Sequence, residues 1–107
     1  MTPLTIKRND TARKIEATLY FNNAALDLTD VTVVLVIRLK NQTTGAVRRD
    51  VTMVDASTGK VEYQLVAEDT ATSGEYYLEF EVTFLDNTVL SIPNASYYEL
   101  IVQSDLG

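Results

Sequence analysis

Apolar and polar residues alternate every two positions through most of the chain, and this pattern constrains the fold more than any other feature. A side-chain period of two is that of a β-strand with one buried face. In the clearest example, residues 76–84, the apolar set is Tyr76, Leu78, Phe80, Val82 and Phe84. Because no window carries the period of a long amphipathic helix, the sequence predicts an all-β protein.

Turn-forming residues divide the alternating pattern into short segments. These segments are residues 4–7, 15–20, 31–40, 47–54, 61–65, 76–84, 89–92 and 98–102. Clusters such as Asn22-Asn23 and Asp86-Asn87 lie between them, and such residues favour turns. Residues 67–72 are expected to form one helical turn. Strands of this length and spacing are typical of one antiparallel β-sandwich over residues 1–107, with a small closed barrel as the alternative.

The residues before the strongest strand favour an immunoglobulin-like sandwich. Such sandwiches often place a Tyr at the corner before strand F, where its hydroxyl bonds to the backbone a few residues upstream. The segment from Asp69 to Tyr76 fits this pattern, although Tyr76 as a core aromatic with a solvated hydroxyl fits equally well. We predict an antiparallel immunoglobulin-like β-sandwich of seven to eight strands. Its expected core includes Leu19, Val33, Leu35, Ile37, Tyr63, Leu78, Phe80 and Val82.

The residue types that most enzymes use are missing from the sequence. The chain has no Cys and no His, which excludes disulfides, thiolate catalysis, Cys- or His-based metal sites and the Ser-His-Asp arrangement. Its formal net charge of −6 argues against binding nucleic acid through phosphate neutralisation. The longest apolar run, Val33 to Ile37, is far too short to span a bilayer, and the N-terminus lacks the pattern of a signal peptide. We therefore expect no catalysis, cofactor, metal, nucleic acid or membrane partner.

Acidic pairs leave some other functions open. Asp27 with Asp30, and the Glu68-Asp69 pair, have the oxygen atoms of a calcium site, but acids favour turns and caps at such positions in any case. Glu79 and Glu81 share one strand face, as a glycosidase pair would, although a solvated outer face is the preferred interpretation.

One outer sheet face carries more apolar surface than such faces normally do. In an immunoglobulin-like order the third, sixth and last strands are neighbours. Their apolar or aromatic outward residues are Val34, Val36, Tyr77, Tyr97 and Ile101. Exposed apolar patches mark interfaces, so we predict a protein contact surface here. Two alternatives remain: long neighbours such as Arg38 and Glu79, or a loop, cover the patch, or Tyr77 and Tyr97 belong to a carbohydrate platform.

Charge is distributed unevenly along the chain. All nine basic residues lie in residues 1–60, whereas residues 61–107 hold nine acids and no base. Cross-strand pairing, for example of Arg38 with Glu79 or Glu81, is expected to cancel part of this asymmetry. The predicted basic region comprises Lys7, Arg8, Arg13, Lys14, Arg48 and Arg49, and the acidic region Glu68, Asp69, Glu75 and Glu99. Separate regions of opposite sign favour head-to-tail assembly, with Arg48 and Arg49 at the interface; a dispersed solvated surface is the alternative.

Several blocks of sequence follow one another in a fixed order. They are Asn9-Asp10-Thr11-Ala12, Leu26 to Val33, Val54 to Tyr63, Glu68 to Tyr77, Glu79 to Phe84 and Ile92-Pro93-Asn94. In this order the chain resembles the N-terminal domain family of phage baseplate upper proteins, an immunoglobulin-like module of tailed-phage tails. Family members usually continue into a helical or fibre-bearing region, whereas this sequence ends at Gly107, as an excised domain or a small stand-alone virion protein would.

The resemblance implies a non-enzymatic structural role in the phage tail or baseplate. The chain would anchor or join virion subunits through protein–protein contacts, after synthesis in the cytoplasm of the bacterial host. Its implied partners are other tail or baseplate proteins, and a homo-oligomer is compatible with this role. The alternative function is a carbohydrate- or receptor-binding β-sandwich module on a virion or cell surface.

Overall fold

The computed structural model describes residues 4–9, 11–42, 45–92 and 98–104. Its strands are β1 (Leu4–Lys7), β2 (Lys14–Thr18), β3 (Tyr20–Phe21), β4 (Ala24–Ala25), β5 (Thr32–Leu39), β6 (Val47–Asp50), β7 (Thr52–Asp55), β8 (Lys60–Gln64), β9 (Gly74–Thr83), β10 (Val89–Ile92) and β11 (Tyr98–Gln103). A 3₁₀ turn (Ala56–Thr58) precedes β8, and a one-turn helix, α1 (Ala67–Thr70), precedes β9. The helical turn predicted within residues 67–72 is therefore confirmed.

The described strands form two main sheets and one small hairpin. The larger sheet has the order β1-β11-β9-β5-β6, with β10 also paired to β9, and the smaller sheet has the order β2-β8-β7. The pairing of β1 with β11 is parallel, and the other strand pairs are antiparallel. The fold is thus mostly β in several sheets, as the alternation of the sequence predicts.

Both main sheets contribute to one buried apolar cluster. In the larger sheet, Leu35 of β5 lies opposite Phe80 of β9, and these side chains are 0% and 1% exposed. Ile15 of β2 and Val61 of β8 contribute from the smaller sheet. All eight residues predicted for the core are buried, which confirms the inward assignment made from the alternation.

The prediction of one strand over residues 47–54 is wrong, because two strands occupy this segment. The chain leaves the larger sheet after Asp50, where β6 pairs with β5, and joins the smaller sheet at Thr52, where β7 pairs with β8. The apolar residues of this segment do not keep to one alternating face, so one sheet cannot bury them all. Strands that change sheets form the corners of sandwiches, and β7 adds an irregularity between Met53 and Asp55.

The predicted strand over residues 15–20 also ends early, because β2 stops at Thr18 and a separate hairpin follows. Strands β3 and β4 pair with each other, and Asn22 and Asn23 form the turn between them with φ of 53° and 64°. Positive φ at both central residues is the conformation of a type I′ turn, which Asn tolerates better than most residues. Leu19 remains in the core, and its N–H donates to the carbonyl of Gly59.

Tyr76 makes the corner contact expected before the strongest strand. Its hydroxyl donates to the carbonyl oxygen of Thr72 at 2.7 Å, four residues upstream. Burial raises the pKa of the Tyr76 hydroxyl. This hydrogen bond ties the segment after α1 to the start of β9. It confirms the backbone contact that the corner interpretation of Tyr76 predicts.

Candidate contact face

The outer face of the larger sheet brings several of the predicted contact residues together. Val34 and Val36 lie on β5 opposite Glu81 and Glu79 of β9, and Tyr77 lies opposite Arg38. On the other side of β9, Ile101 of β11 lies opposite Glu75. Val34, Val36, Tyr77 and Ile101 are all half-buried. Tyr97, the fifth predicted residue, lies outside the described residues.

Val36 and Tyr77 share a shallow cavity on this face. The cavity has a volume of about 180 Å³, and Arg38, Ala46 and Glu79 also line it. Charged residues flank the apolar ones on the neighbouring strands, since Val34 also lies opposite Asp50 and Val36 opposite Arg48. The face is therefore a mixture of apolar and charged side chains, not the continuous apolar patch that the sequence suggests.

Two cations cover part of the Tyr77 ring. The guanidinium carbon of Arg38 lies 5.8 Å and the Nζ of Lys40 lies 5.2 Å from the ring centroid. Both distances are within the range of about 6 Å for cation–π contacts. Lys40 also contacts Glu99 at 3.0 Å and Glu75 at 3.6 Å, and its hydrogen bond to Glu99 raises the pKa of Lys40. Long charged neighbours thus cover the aromatic part of the face, as the alternative interpretation expects.

Arg48 and Arg49 point to opposite faces of β6. Arg48 lies opposite Val36 on the outer face and pairs with Glu81; their hydrogen bond raises the pKa of Arg48. Arg49 lies opposite Leu35, so its side chain points toward the inner side of the sheet at its edge. Only Arg48 therefore lies on the same face as the other predicted contact residues.

Arg49 joins a network around Asp69, which the sequence analysis names as a calcium candidate and as part of the acidic region but does not place in the interior. Asp69 is 7% exposed; its Oδ1 accepts from Arg49 Nε at 3.1 Å, and its Oδ2 accepts from the Tyr63 hydroxyl at 2.6 Å and from Val66 N at 3.0 Å. Burial raises the pKa of the Tyr63 hydroxyl, and the hydrogen bond to Asp69 raises it further. The position of Asp69 in the corner pattern before Tyr76 is the sequence signal from which its structural role could have been predicted.

Ion pairs among the described residues cancel charge between the two halves of the chain. They join bases of residues 1–60 to acids of residues 61–107: Lys14–Glu62, Lys40–Glu75, Lys40–Glu99, Arg48–Glu81, Arg49–Glu68 and Arg49–Asp69. These pairs confirm the prediction that pairing between the two halves cancels part of the charge asymmetry. In the strand register Arg38 lies opposite Tyr77, and Glu81 pairs with Arg48.

The predicted basic and acidic regions are not separate poles. Arg8 N donates to Gln103 O, and Asn9 N donates to Thr70 O, which brings the end of β1 beside α1. Lys40 N donates to Glu75 O at the same end of the molecule. The parallel pairing of β1 with β11 is the reason, since it places Lys7 beside the end of β11 and close to the start of β9. The acids at positions 68, 69 and 75 therefore lie near the N-terminal bases.

Asp27, one of the calcium candidates, forms a local turn contact. Its Oδ1 accepts from the backbone N of Thr29 at 2.9 Å and from Thr29 Oγ1 at 2.6 Å, and these bonds lower the pKa of the Asp27 carboxyl. Within the described ranges, no group of three or more acidic, His or Cys residues is placed to hold a metal ion. In the same part of the chain, no helix is long and apolar enough to cross a membrane.

Comparison with known families identifies the class of domain. Residues 2–98 match the family model of the BppU N-terminal domain, the N-terminal domain of baseplate upper proteins. The matched range includes every sequence block on which the resemblance rests, so the predicted family is confirmed. No curated protein matches the chain.

Proposed function

Since the chain belongs to the BppU N-terminal domain family, a family of phage baseplate proteins, we propose that it joins or anchors virion subunits through protein–protein contacts. Family membership implies a location in the virion tail and interaction with other virion proteins. The proposal adds that the domain is an immunoglobulin-like sandwich and that it works without catalysis or a cofactor. It also adds that the chain is made in the host cytoplasm and binds neither nucleic acid nor membrane.

The arrangement of the strands supports the immunoglobulin-like assignment. Such sandwiches pack two antiparallel sheets over a shared core, with a Tyr corner before strand F. Here the sheets of order β2-β8-β7 and β1-β11-β9-β5-β6 contribute to one apolar cluster, and Tyr76 bonds back to Thr72. A sandwich of this kind suits a structural subunit, because it presents a whole sheet face to a partner.

The proposal of a protein contact surface rests on the outer face of β5 and β9. Val34, Val36 and Tyr77 are half-buried there among paired charges, with a cavity beside Val36 and Tyr77. Protein interfaces typically combine an apolar or aromatic centre with charged residues that fix orientation. The cations over the Tyr77 ring argue against the carbohydrate alternative, because sugars stack on open aromatic faces.

The double substitution Val34→Lys with Val36→Glu is expected to abolish binding to the other baseplate proteins of the same virus. Both residues point away from the core, so the melting temperature should change little. Thr52→Lys with Val54→Glu, on the exposed strand β7 of the smaller sheet, is the matched control and should bind normally. Binding is measured by titration of the purified proteins. Unchanged binding by the first variant would contradict the proposed contact face, and glycan binding that Tyr77→Ala removes would favour the carbohydrate alternative.

Charge reversal should separate the roles of the two neighbouring arginines. Arg48→Glu breaks a solvent-exposed ion pair, so it should leave stability nearly unchanged and weaken partner binding at low salt. Arg49→Glu places a second acid beside buried Asp69 and should lower the melting temperature clearly. Thermal melts, and binding assays at low and high salt, provide the comparison. Equal stability of the two variants would contradict the assignment of Arg49 to the inner side.

A further inference from the structure

An open cleft with an apolar floor lies where β5 begins and β9 ends. It has a volume of about 520 Å³, and its apolar lining comes from Val31, Phe84 and Leu85. Val31 and Phe84 follow the paired residues Thr32 and Thr83, and both pack partly against the core. Leu85, in contrast, is 81% exposed. Contiguous exposed apolar surface of this kind marks interaction sites.

Three carboxylates border this apolar floor. Asp27, Asp30 and Asp86 line the cleft, and among the described residues no Lys or Arg lines it. Asp27 Oδ1 accepts from the N and Oγ1 of Thr29, and Asp86 Oδ1 accepts from the same atoms of Thr88. These bonds lower the pKa of both carboxyls, so both are charged at neutral pH. No described residue donates to their Oδ2 atoms, so each can accept from a ligand.

The bases on the neighbouring strands do not neutralise this rim of aspartates. Arg48 of β6 pairs with Glu81 on the outer face of the larger sheet. Lys60 lies opposite Asp55 in the strand register and lines a different cavity, on the smaller sheet. Asp50, at the cleft end of β6, adds a further exposed carboxylate. The cleft end of the molecule is therefore acidic.

This charge selects a cationic occupant for the cleft. The whole chain has a formal net charge of −6, so electrostatic repulsion disfavours a second copy. Within the described ranges no three acids are grouped to hold one metal ion, so the rim suits several separate cationic groups. Lys and Arg side chains cover apolar surface with their aliphatic stems while their charged heads stay in water. A segment with several such side chains matches both the floor and the rim.

We propose that the cleft binds a segment rich in Lys and Arg from another virion protein. The aliphatic stems of this segment pack on the apolar floor beside Leu85, and its charged heads reach the three aspartates of the rim. That the partner is a virion protein rests on the proposed function. The cleft uses neither Val34 nor Val36, so the chain can contact one subunit with its larger sheet and a second with this end.

Titration of the chain with each purified tail protein of the same virus tests this contact. The test variant removes the three charges of the rim and keeps the oxygen atoms that accept the turn hydrogen bonds: Asp27→Asn, Asp30→Asn and Asp86→Asn. Its binding to one tail protein should be about tenfold weaker at low salt, and salt should affect it less than the wild type. The matched control removes three charges outside the cleft and the contact face: Glu16→Gln, Glu62→Gln and Glu68→Gln.

Leu85→Ser tests the apolar floor separately from the charges. It should weaken the same interaction about tenfold, whereas Val54→Ser, at an exposed position outside the cleft, should bind normally. Thermal melts show that all variants are folded.

Three results would overturn the proposal of a basic partner segment. They are a rim variant that binds every tail protein as the wild type does, binding that needs Leu85 but ignores salt and the rim charges, and self-association of the chain that the rim variant removes. The proposed contact face fails on a different result, normal binding by Val34→Lys with Val36→Glu, so the two failures are distinguishable.

Discussion

Replacing Asp69 with alanine is expected to lower the free energy of unfolding by about 3 kcal/mol or more. The substitution leaves the Arg49 guanidinium, the Tyr63 hydroxyl and the Val66 N–H without the carboxylate that they share. Removing one partner of a buried, hydrogen-bonded charge costs more than the pair itself contributes, because the remaining polar groups stay desolvated. Urea denaturation gives the change directly.

Glu68→Ala is the matched control for this prediction. Glu68 also pairs with Arg49, at 3.7 Å, but its side chain is 85% exposed. Exposed pairs contribute roughly 0–1 kcal/mol, so this variant should unfold almost like the wild type. Similar losses for the two variants would show that the buried network around Asp69 does not stabilise the fold.

Truncation of the paired core residues Leu35 and Phe80 should have an effect of similar size. Leu35→Ala is expected to cost about 2–5 kcal/mol and Phe80→Ala about 3–5 kcal/mol, because each leaves a cavity between the sheets. Their side chains lie opposite each other, so the double variant should lose less than the sum of the two single losses. Val34→Ala, on the outer face of the same strand, is the control and should cost about 1 kcal/mol or less. Melting temperatures that stay unchanged in both core variants would contradict the inward assignment.

The sequence was sufficient to predict the core and most of the strands, because alternation reports directly which face is buried. Leu35 and Phe80 could be placed by counting along two strands, and Tyr76 by its corner pattern. The change of sheet at Val51 could not be predicted this way. The irregular apolar pattern of residues 47–54 fits either one poor strand or two short ones, and only packing against β5 and β8 decides between them.

The prediction of separate basic and acidic regions failed for a different reason. Position along the chain suggested two poles, but the parallel pairing of β1 with β11 brings the N-terminal bases beside α1 and the start of β9. Strand direction depends on pairing over about a hundred residues, which local patterns do not encode. The contact face was predicted in part: Val36 and Tyr77 do share a cavity, yet the cations over the Tyr77 ring depend on side-chain packing that the alternation does not contain.

Incorporation into virions tests the central claim, that this domain is a tail component held by the outer face of its larger sheet. Purified particles would be assembled with the wild-type chain, with Val34→Lys/Val36→Glu, or with the control Thr52→Lys/Val54→Glu, and the chain would be quantified in their tails by mass spectrometry. The account predicts equal amounts of the wild-type and control chains, and loss of the first variant although it is folded. Equal incorporation of all three chains would contradict it.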